Sequence, residues 1–385
     1  MTTSHEEQQK QQDRQYRIWF TGWGSGGHVY PISALLQHVL HDTDLHNKCK
    51  SLTRYGEADS LESSIASSYH DHVQFIPVQA GKIRRYYNIK AVLTTALDML
   101  KMLYWTVLMS IHFLFDRIDV LFSKWWYVTI PVAVAARINR IPIVVHDSDT
   151  HLWLANKVVS KLATTKLQWF DSTFDNGFTV WQLLSRQLLE YDKSSAQNEV
   201  THCLVIWWSQ WASILCQLVY ELADRYRDAI HFSVLTWTKN TERTTKLKHL
   251  PNVTPYPLVT QEDMATLLYQ SDISISRWSA TSLAEQQLFG ISKCIIPLPY
   301  TWWDHQTKNA LRYQDHHNDL YINQKQDTYD TLKGLVKQRL DTKTDYKKQP
   351  IKHADIEQQV EQWVSKTRAC ILQTIKHSNT KKGSS

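Results

Sequence analysis

The chain has 385 residues, a formal net charge of +6 and 43% hydrophobic residues. A chain of this length buries a full core and most simply forms two domains. The basic excess suits an anionic partner such as a nucleotide, a diphosphate or an acidic membrane surface, whereas the mixed charge signs exclude a dedicated nucleic-acid-binding protein. Five scattered cysteines without Cys-x-x-Cys spacing indicate neither a disulfide framework nor a zinc site, and they predict a reducing cytoplasm.

The N-terminal segment, residues 1–16, is polar and lacks the apolar core of a signal peptide, so we expect a disordered tail. Residues 17–21 are the first predicted strand. A glycine-rich loop, GWGSGGH at 22–28, then leads to Pro31 and an apolar-periodic helix. This order predicts a phosphate-binding loop, because free backbone N–H groups and the positive end of the helix dipole converge there.

Strand-like runs alternate with helical ones along the rest of the chain, which favours parallel sheets with helical crossovers. Further strands are predicted at 73–78, 119–123, 141–146, 203–206, 231–235, 272–276 and 293–297. We therefore expect an α/β fold with two Rossmann-like, doubly wound domains facing a ligand-binding cleft. The predicted bounds are 17–182 and 183–355, followed by a helix at 356–376 that packs back on the first domain and a tail at 377–385.

The most apolar stretch covers residues 102–115 and is shorter than the roughly 20 residues that a membrane span requires. It is predicted to be either a core helix or an interfacial patch. The second interpretation is supported by the basic residues Lys82, Arg84 and Arg85 upstream, which suit anionic headgroups.

The second loop pattern, WWSQWA at 207–212, lies between the apolar run 203–206 and a helix-like stretch that opens at Ser213. A phosphate-binding loop at this place needs glycine. Side chains at positive φ cost roughly 1–2 kcal/mol per residue, and indole rings would occupy the space of the phosphate. Trp207, Trp208 and Trp211 therefore stand where glycine makes physical sense.

Composition points to the same anomaly, because the chain has 16 Trp and only 10 Gly. Together they make up about 7% of the residues, the ordinary glycine usage of soluble proteins. Our hypothesis is that UGA codons, which some bacteria read as glycine, are written here as Trp. The alternative is genuine tryptophans that stack on sugars or lie at a membrane interface. Either residue is acceptable at Trp19, Trp105, Trp169 and Trp363.

With the tryptophans of the loop motifs read as glycine, the chain resembles the MurG family, the UDP-N-acetylglucosamine transferases that complete the lipid-linked precursor of peptidoglycan. The resemblance spans residues 17–375. It rests on seven ordered motifs: TGWGSGGHVYP at 21–31, AGKIRRYY at 80–87, FSKWWYVTIP at 122–131, HDSDTHLWLANK at 146–157, WWSQWA at 207–212, SRWSATSLAE at 276–285 and WWDHQTKNA at 302–310.

The resemblance implies a GT-B fold of glycosyltransferase family 28 and an inverting transfer of N-acetylglucosamine from UDP-N-acetylglucosamine to undecaprenyl-diphosphate-linked N-acetylmuramoyl pentapeptide. It implies a peripheral enzyme at the cytoplasmic face of the cell membrane. It also implies no cofactor and no metal, since helix dipoles and loop amides carry the diphosphate charge. Asp147-Ser148-Asp149 is the one Asp-x-Asp pair in a possible metal context.

The resemblance also implies roles for individual residues. His28, Asp147 and Asp149 are candidate catalytic bases, and the choice among them stays open. An imidazole suits the role because its ordinary pKa lets it accept a proton at neutral pH. The acceptor diphosphate is assigned to Gly24, Ser25, Gly26, Gly27, Lys82, Arg84 and Arg85.

The donor sugar nucleotide is assigned to a second set, in which Glu285 accepts hydrogen bonds from both ribose hydroxyls. Arg186 stands one place later than the family pattern, which puts its role in doubt. The full set is Ser25, Gly26, Gly27, Asp149, Arg186, Ser209, Gln210, Ala280, Thr281, Glu285, Gln306 and Asn309.

Two other functions fit parts of the sequence. A related GT-B transferase that glycosylates another lipid would share the glycine loops and the Glu285 motif. If the tryptophans are genuine, both phosphate loops are blocked and the chain is at most an inactive binding protein.

Overall fold

The computed structural model describes residues 15–22, 26–42, 46–47, 49–69, 72–79, 89–124, 128–150, 152, 154–171, 173–180, 182–188, 200–206, 213–236, 241–257, 259–298, 305–314, 319–323, 329–343 and 353–383. The chain divides into two compact units. The N-terminal unit comprises Met1–Leu183 with Glu361–Ser385, and the C-terminal unit comprises Leu184–Val360. The sequence placed the boundary between residues 182 and 183.

The N-terminal unit is built on a sheet whose described strands number seven and are all parallel. They lie in the order β3-β2-β1-β4-β5-β6-β7. The strands are β1 Tyr16–Thr21, β2 Cys49–Gly56, β3 Val73–Pro77, β4 Val120–Ser123, β5 Ile143–Asp147, β6 Thr165–Gln168 and β7 Phe178–Thr179. The helices between them are α1 Gly26–His41, α2 Leu61–Ser68, α3 Ile89–Phe115, α4 Thr129–Ile138 and α5 Leu154–Leu162.

The C-terminal unit repeats this plan with six described strands, again all parallel, in the order β10-β9-β8-β11-β12-β13. They are β8 Thr201–Ile206, β9 Ile230–Leu235, β10 Val253–Tyr256, β11 Ile273–Ser276, β12 Ser292–Ile295 and β13 Leu320–Tyr321. After a 3-10 turn at Arg186–Leu188, the helices are α6 Ser213–Arg225, α7 Thr241–Lys248, α8 Gln261–Gln270, α9 Ala280–Leu288, α10 His305–Gln314 and α11 Tyr329–Lys343. The last helix, α12 His353–Gly383, begins in this unit and continues into the N-terminal unit after Val360.

Each sheet reverses its strand order beside its first strand, so β1 lies between β2 and β4, and β8 lies between β9 and β11. The strands near these points are buried on both faces. The predicted pair of doubly wound parallel sheets is confirmed. Ligands in such sheets bind at the carboxyl ends of the strands, where the order reverses.

The last helix, α12, extends further than predicted and continues to Gly383, beyond the expected start of a tail at residue 377. Its second half packs on the N-terminal unit, where Ile371 and Ile375 join the core around Phe20. Thr374 Oγ1 lies 2.6 Å from Thr165 Oγ1, and Arg368 forms an ion pair with Asp42. This part of the helix therefore belongs to the N-terminal unit.

Helix α3 is longer than the 14-residue apolar segment that the sequence suggested. In the described residues its apolar part is Leu93–Phe115, 23 residues, which is long and apolar enough to cross a membrane by length and composition alone. One stripe of the helix packs into the core through Met109 and Phe113. The opposite stripe is exposed, with Leu100 63% and Leu114 67% accessible. The helix is thus a half-covered element of the N-terminal unit.

Candidate functional site

The first glycine loop of the N-terminal sheet begins at Gly22, which packs tightly against the backbone of Lys124. A Cβ at Gly22 would lie 2.4 Å from the Lys124 carbonyl oxygen and 2.5 Å from Ile32 Cδ1. The Lys124 N–H donates to the Thr21 carbonyl oxygen at 2.8 Å, which ties the end of β4 to the end of β1. A side chain at residue 22 would force these ends apart, so only glycine fits.

Most residues assigned to the acceptor diphosphate lie outside the described part of the chain. This applies to Gly24 and Ser25, and to the basic residues Lys82, Arg84 and Arg85. Three others form the first turn of α1 and are described only by their backbone: Gly26, Gly27 and His28. The role of the His28 imidazole stays a prediction.

Asp147, at the end of β5, is fully buried and both of its carboxylate oxygens accept hydrogen bonds. Oδ2 accepts from Asn156 Nδ2 at 2.6 Å, and Oδ1 accepts from the Asp149 N–H at 2.8 Å. These bonds hold the turn after β5 in place. Asp149 is only half-buried, and its carbonyl oxygen accepts from Thr173 Oγ1 at 2.7 Å. These hydrogen bonds give Asp147 a role in positioning the turn; the choice of base among His28, Asp147 and Asp149 stays a prediction.

A buried lysine at the same edge was not singled out from the sequence. Lys124 directly follows β4, and its Nζ lies 2.7 Å from His146 Nδ1 and 2.7 Å from Ser148 Oγ. The Ser148 hydroxyl in turn donates to Gln182 Oε1 at 2.6 Å. Burial lowers the pKa of Lys124 to about 7, although the nearby charges of Asp147 and Asp149 favour the protonated form.

The second loop pattern falls between the end of β8 at Ile206 and the start of α6 at Ser213. This is the strand-loop-helix order that the sequence predicted. Residues 207–212 lie outside the described residues, so the contacts of Ser209 and Gln210 stay predictions.

Helix α9 begins at the carboxyl edge of the C-terminal sheet, directly after β11. Ser279 caps it, its hydroxyl accepting from the Ser282 N–H at 3.5 Å. Of the assigned residues here, Ala280 is half-buried and Thr281 is buried. Glu285 is 6% exposed, and burial raises the pKa of its carboxyl to about 8. Within the described ranges no hydrogen bond or ion pair reaches that carboxyl group.

Two further side chains shape this edge. Arg277, which the sequence did not single out as a site residue, directly follows β11 and is buried. Its NH1 donates to the carbonyl oxygens of Ile296 and Pro297 at 3.0 and 3.2 Å, and burial lowers the pKa of its guanidinium to about 10. Gln306 Oε1 accepts from the Leu298 N–H at 2.9 Å. Together these bonds hold the chain that leaves β12.

The remaining assigned residues are Asn309, which is fully buried in α10, and Arg186, which is half-buried in the 3-10 turn. The assigned donor residues that the structure describes in α9 and α10 therefore follow neighbouring strands of one sheet. For the part of the chain that is described, no group of three His, Cys, Asp or Glu side chains is arranged to hold a metal ion.

Two family descriptions match the chain, one for each unit. The glycosyltransferase family 28 N-terminal domain matches residues 18–168, and the glycosyltransferase family 28 C-terminal domain matches residues 202–363. Curated relatives include the UDP-N-acetylglucosamine--N-acetylmuramyl-(pentapeptide) pyrophosphoryl-undecaprenol N-acetylglucosamine transferases of Clostridium perfringens (strain SM101) and Francisella tularensis (strain WY96-3418). The first is 27% identical over 74% of this chain and 79% of its own length; the second is 25% identical over 83% and 88%.

Solved structures agree on the fold. MurG from Acinetobacter baumannii superposes with a TM-score of 0.62 at 19% identity, covering 86% of this chain and 92% of its own. The glycosyltransferase VinC in complex with dTDP superposes with a TM-score of 0.58 at 14% identity. The two family descriptions, which together account for most of the chain in the expected order, decide the matter: the chain belongs to glycosyltransferase family 28 and is a GT-B glycosyltransferase.

Proposed function

We propose that the protein transfers N-acetylglucosamine from UDP-N-acetylglucosamine to lipid I, undecaprenyl-diphospho-N-acetylmuramoyl pentapeptide, giving lipid II and UDP. The names of the curated relatives support this reaction. The single observation that carries it is Glu285: a buried carboxyl group with a raised pKa and no described partner, at the ligand-binding edge of the C-terminal sheet. Such a group is costly to the free protein, and two ribose hydroxyls of the donor would satisfy it.

The chemistry is a direct displacement. The acceptor hydroxyl oxygen attacks the anomeric carbon, the bond from that carbon to the UDP oxygen breaks, and the configuration inverts. The acceptor proton passes to a base on the N-terminal unit. His28, Asp147 and Asp149 are the candidates for this role; Asp147 is fully buried and each of its oxygens already accepts a hydrogen bond, which favours His28 and Asp149.

We propose that the reaction needs neither a cofactor nor a metal ion. The negative charge on the leaving diphosphate would be stabilised by backbone N–H groups of the loop at 207–212 and by helix N-termini. Asp147, the first carboxylate of the Asp-x-Asp pair, is engaged by Asn156 and by the Asp149 backbone, which supports this view.

The test must use the correct residues in the loops. We define the glycine form as the full chain with glycine at every tryptophan except Trp19, Trp105, Trp169 and Trp363, where either residue is acceptable. The changed positions are Trp23, Trp125, Trp126, Trp153, Trp181, Trp207, Trp208, Trp211, Trp237, Trp278, Trp302 and Trp303. We expect UDP to bind the glycine form and not the chain as written, because indole rings would fill the diphosphate site. Calorimetric titration of both chains measures this, with intact mass of the protein from its native host as an independent check on the codons.

Equal UDP binding by both chains would overturn the glycine interpretation. For the reaction, the glycine form should convert a radiolabelled donor and lipid I to lipid II. Transfer to diacylglycerol but not to lipid I would instead establish the glycolipid transferase. UDP binding without any transfer would establish a binding protein.

We further propose that the protein is peripheral on the cytoplasmic membrane face and docks through the exposed stripe of α3. The stripe repeats every three or four residues over six turns of the helix, and each side chain that enters the bilayer interface contributes about 1.5–3 kcal/mol. Its members are Leu93, Leu97, Leu100, Tyr104, Val107, Ile111 and Leu114, between 46% and 67% exposed. The opposite stripe is packed in the core through Met109 and Phe113, which favours lying on the membrane over crossing it.

A flotation assay with vesicles of phosphatidylglycerol and phosphatidylethanolamine tests this surface. We expect the double change Leu100→Glu and Val107→Glu to abolish co-flotation without affecting UDP binding. The matched control is Tyr220→Glu, an equally exposed position on α6 of the other unit, which should float like the parent. Unchanged flotation of the α3 variant would refute the docking surface.

A further inference from the structure

The two sheets carry a buried cation at equivalent positions, and only one of them can be explained as plain structural support. Lys124 directly follows β4, and Arg277 directly follows β11. Each donates its backbone N–H to the last residue of the first strand of its sheet, Thr21 in one unit and Ile206 in the other. Each side chain then reaches toward the end of the next strand along the sheet.

The partners differ. Arg277 binds two backbone carbonyl oxygens, those of Ile296 and Pro297, as a permanently charged tether would. Lys124 instead binds two side chains, His146 and Ser148, on the strand and turn that carry Asp147 and Asp149.

The direction of these bonds can be read from the donors. Because the Ser148 hydroxyl donates to Gln182 Oε1, its oxygen accepts from Lys124 Nζ. A neutral His146 accepts from Lys124 at Nδ1 and then carries its proton on Nε2. Lys124 thus holds Ser148 from one side while Gln182 holds it from the other.

Burying an amine in this way is costly, since the side chain is 1% exposed and its hydrogen bonds to described residues go to an imidazole and a hydroxyl. The Asp147 carboxylate accepts hydrogen bonds from Asn156 Nδ2 and from the Asp149 N–H. A methionine of similar length would fill the same space without the desolvation cost. A role beyond packing is therefore required.

We propose that Lys124 is a positioning residue for the acceptor side of the reaction, which fixes the turn 147–149 by holding Ser148 and so places Asp149. The inference rests on the proposed function for its kinetic consequence, but not for its structural one. The groups that face the amine are His146 and Asp147 from β5, with Ser148 and Asp149 from the turn.

The structural consequence is tested without substrate. In the glycine form with Lys124→Met, amide hydrogen exchange should accelerate in peptides covering 147–149 and stay unchanged in the C-terminal unit. Unchanged exchange of these peptides would overturn the proposal whatever the enzyme's activity. The control is Lys293→Met, which removes a buried lysine of the C-terminal unit that pairs with Asp319 at 3.1 Å. It should lower the melting temperature and leave the exchange at 147–149 as it was.

The kinetic consequence separates positioning from general loss of stability. We expect kcat/KM for lipid I to fall about 100-fold in the Lys124→Met variant, because a displacement of about 1 Å has an effect of that size. KM for UDP-N-acetylglucosamine should stay within about twofold. If the KM for lipid I and the KM for UDP-N-acetylglucosamine rise together while the melting temperature falls, the role of the lysine is only structural.

A milder variant keeps the test valid if Lys124→Met folds poorly. Ser148→Ala removes the hydroxyl through which Lys124 acts and should lower kcat/KM for lipid I about tenfold, the effect of one hydrogen bond. The double variant should be no worse than Lys124→Met alone, since the two residues act as a unit. Additive losses would refute the coupling. A parent enzyme that transfers nothing refutes the proposed function, whereas the exchange experiment still decides the role of Lys124.

Discussion

The carboxyl edges of the two sheets share the same backbone arrangement but differ in how their buried ionisable side chains are paired. At the N-terminal edge, the buried amine of Lys124 and the buried carboxylate of Asp147 already have hydrogen-bond partners in the protein. At the C-terminal edge, Glu285 is buried without a described partner, and burial raises its pKa to about 8. The charged groups of the first edge are preorganised by protein partners, whereas the second edge holds a carboxyl group that we expect a ligand to complete. Substitutions at the N-terminal edge should therefore change the stability of the protein, and substitutions at the C-terminal edge should change its affinity for the ligand.

The largest effect is expected for Glu285→Gln in the glycine form, which tests whether Glu285 serves the ligand and not the fold. Affinity for UDP-N-acetylglucosamine should fall about 100-fold, because two hydrogen bonds to a carboxylate become bonds to a neutral amide. The free energy of unfolding of the free protein should not decrease, since the change removes a buried ionisable group. Titration calorimetry and urea denaturation measure the two effects. Glu262→Gln, on the exposed face of α8, is the control and should change neither. A clear loss of stability with unchanged affinity would show that Glu285 is structural.

The N-terminal edge should respond in the opposite way. Asp147→Ala leaves the buried Asn156 amide and the Asp149 N–H without their acceptor, so we expect the free energy of unfolding to fall by about 3 kcal/mol. Asp224→Ala, at an exposed position of α6, should stay within about 0.5 kcal/mol of the parent in the same urea titration. A loss at Asp147 no larger than that of the control would mean that this edge is not preorganised.

A pH series sharpens the contrast further. Below pH 8 the buried Glu285 carboxyl is mostly protonated in the free protein, while ribose hydroxyls donate best to the carboxylate. Binding must therefore release a proton, and affinity for UDP-N-acetylglucosamine should fall about tenfold for each pH unit below 8. The raised pKa has the reverse effect on folding: it adds stability at low pH that is lost as the pH rises through 8. Calorimetry between pH 6 and 9 measures the trend, and Glu285→Gln should flatten it.

The smallest expected effect is that of metal removal. Transfer by the glycine form should stay within about twofold after treatment with EDTA, because both Asp147 oxygens already accept hydrogen bonds at the N-terminal edge. The rate of lipid II formation with and without chelator is the measurement. A loss that added Mg²⁺ restores would show that the turn 147–149 rearranges around a cation.

Much of the fold could be predicted because buried parallel strands are apolar runs of readable length. Every strand predicted from such a run is present, with ends that differ by one or two residues. Strand β2 was missed because its sequence, CKSLTRYG, looks polar; its Arg54 is nonetheless fully buried, donating to Ser33 Oγ at 3.1 Å. β6 and β10, with the sequences TKLQ and VTPY, were also missed, because neither is an apolar run. β7 and β13 have only two residues each and leave no periodic signal.

The site could be predicted only where a motif marks it. The sequence assigns Asp147, Asp149 and Glu285 to the site because they lie in recognisable local patterns, and these assignments stay predictions. Lys124 and Arg277 were inside those patterns as well, but their importance depends on partners about 20 residues away in sequence. Such partners become visible only when neighbouring strands of the sheet are brought together. The glycine loops stay predictions, because most of their residues lie outside the described ranges.

The closeness of Gly22 to the Lys124 carbonyl oxygen also limits how this protein can change. Every single-base change in a glycine codon that alters the amino acid adds a Cβ, and at this position any Cβ collides with backbone. We therefore expect no neutral substitution at residue 22, whatever genetic code the host uses.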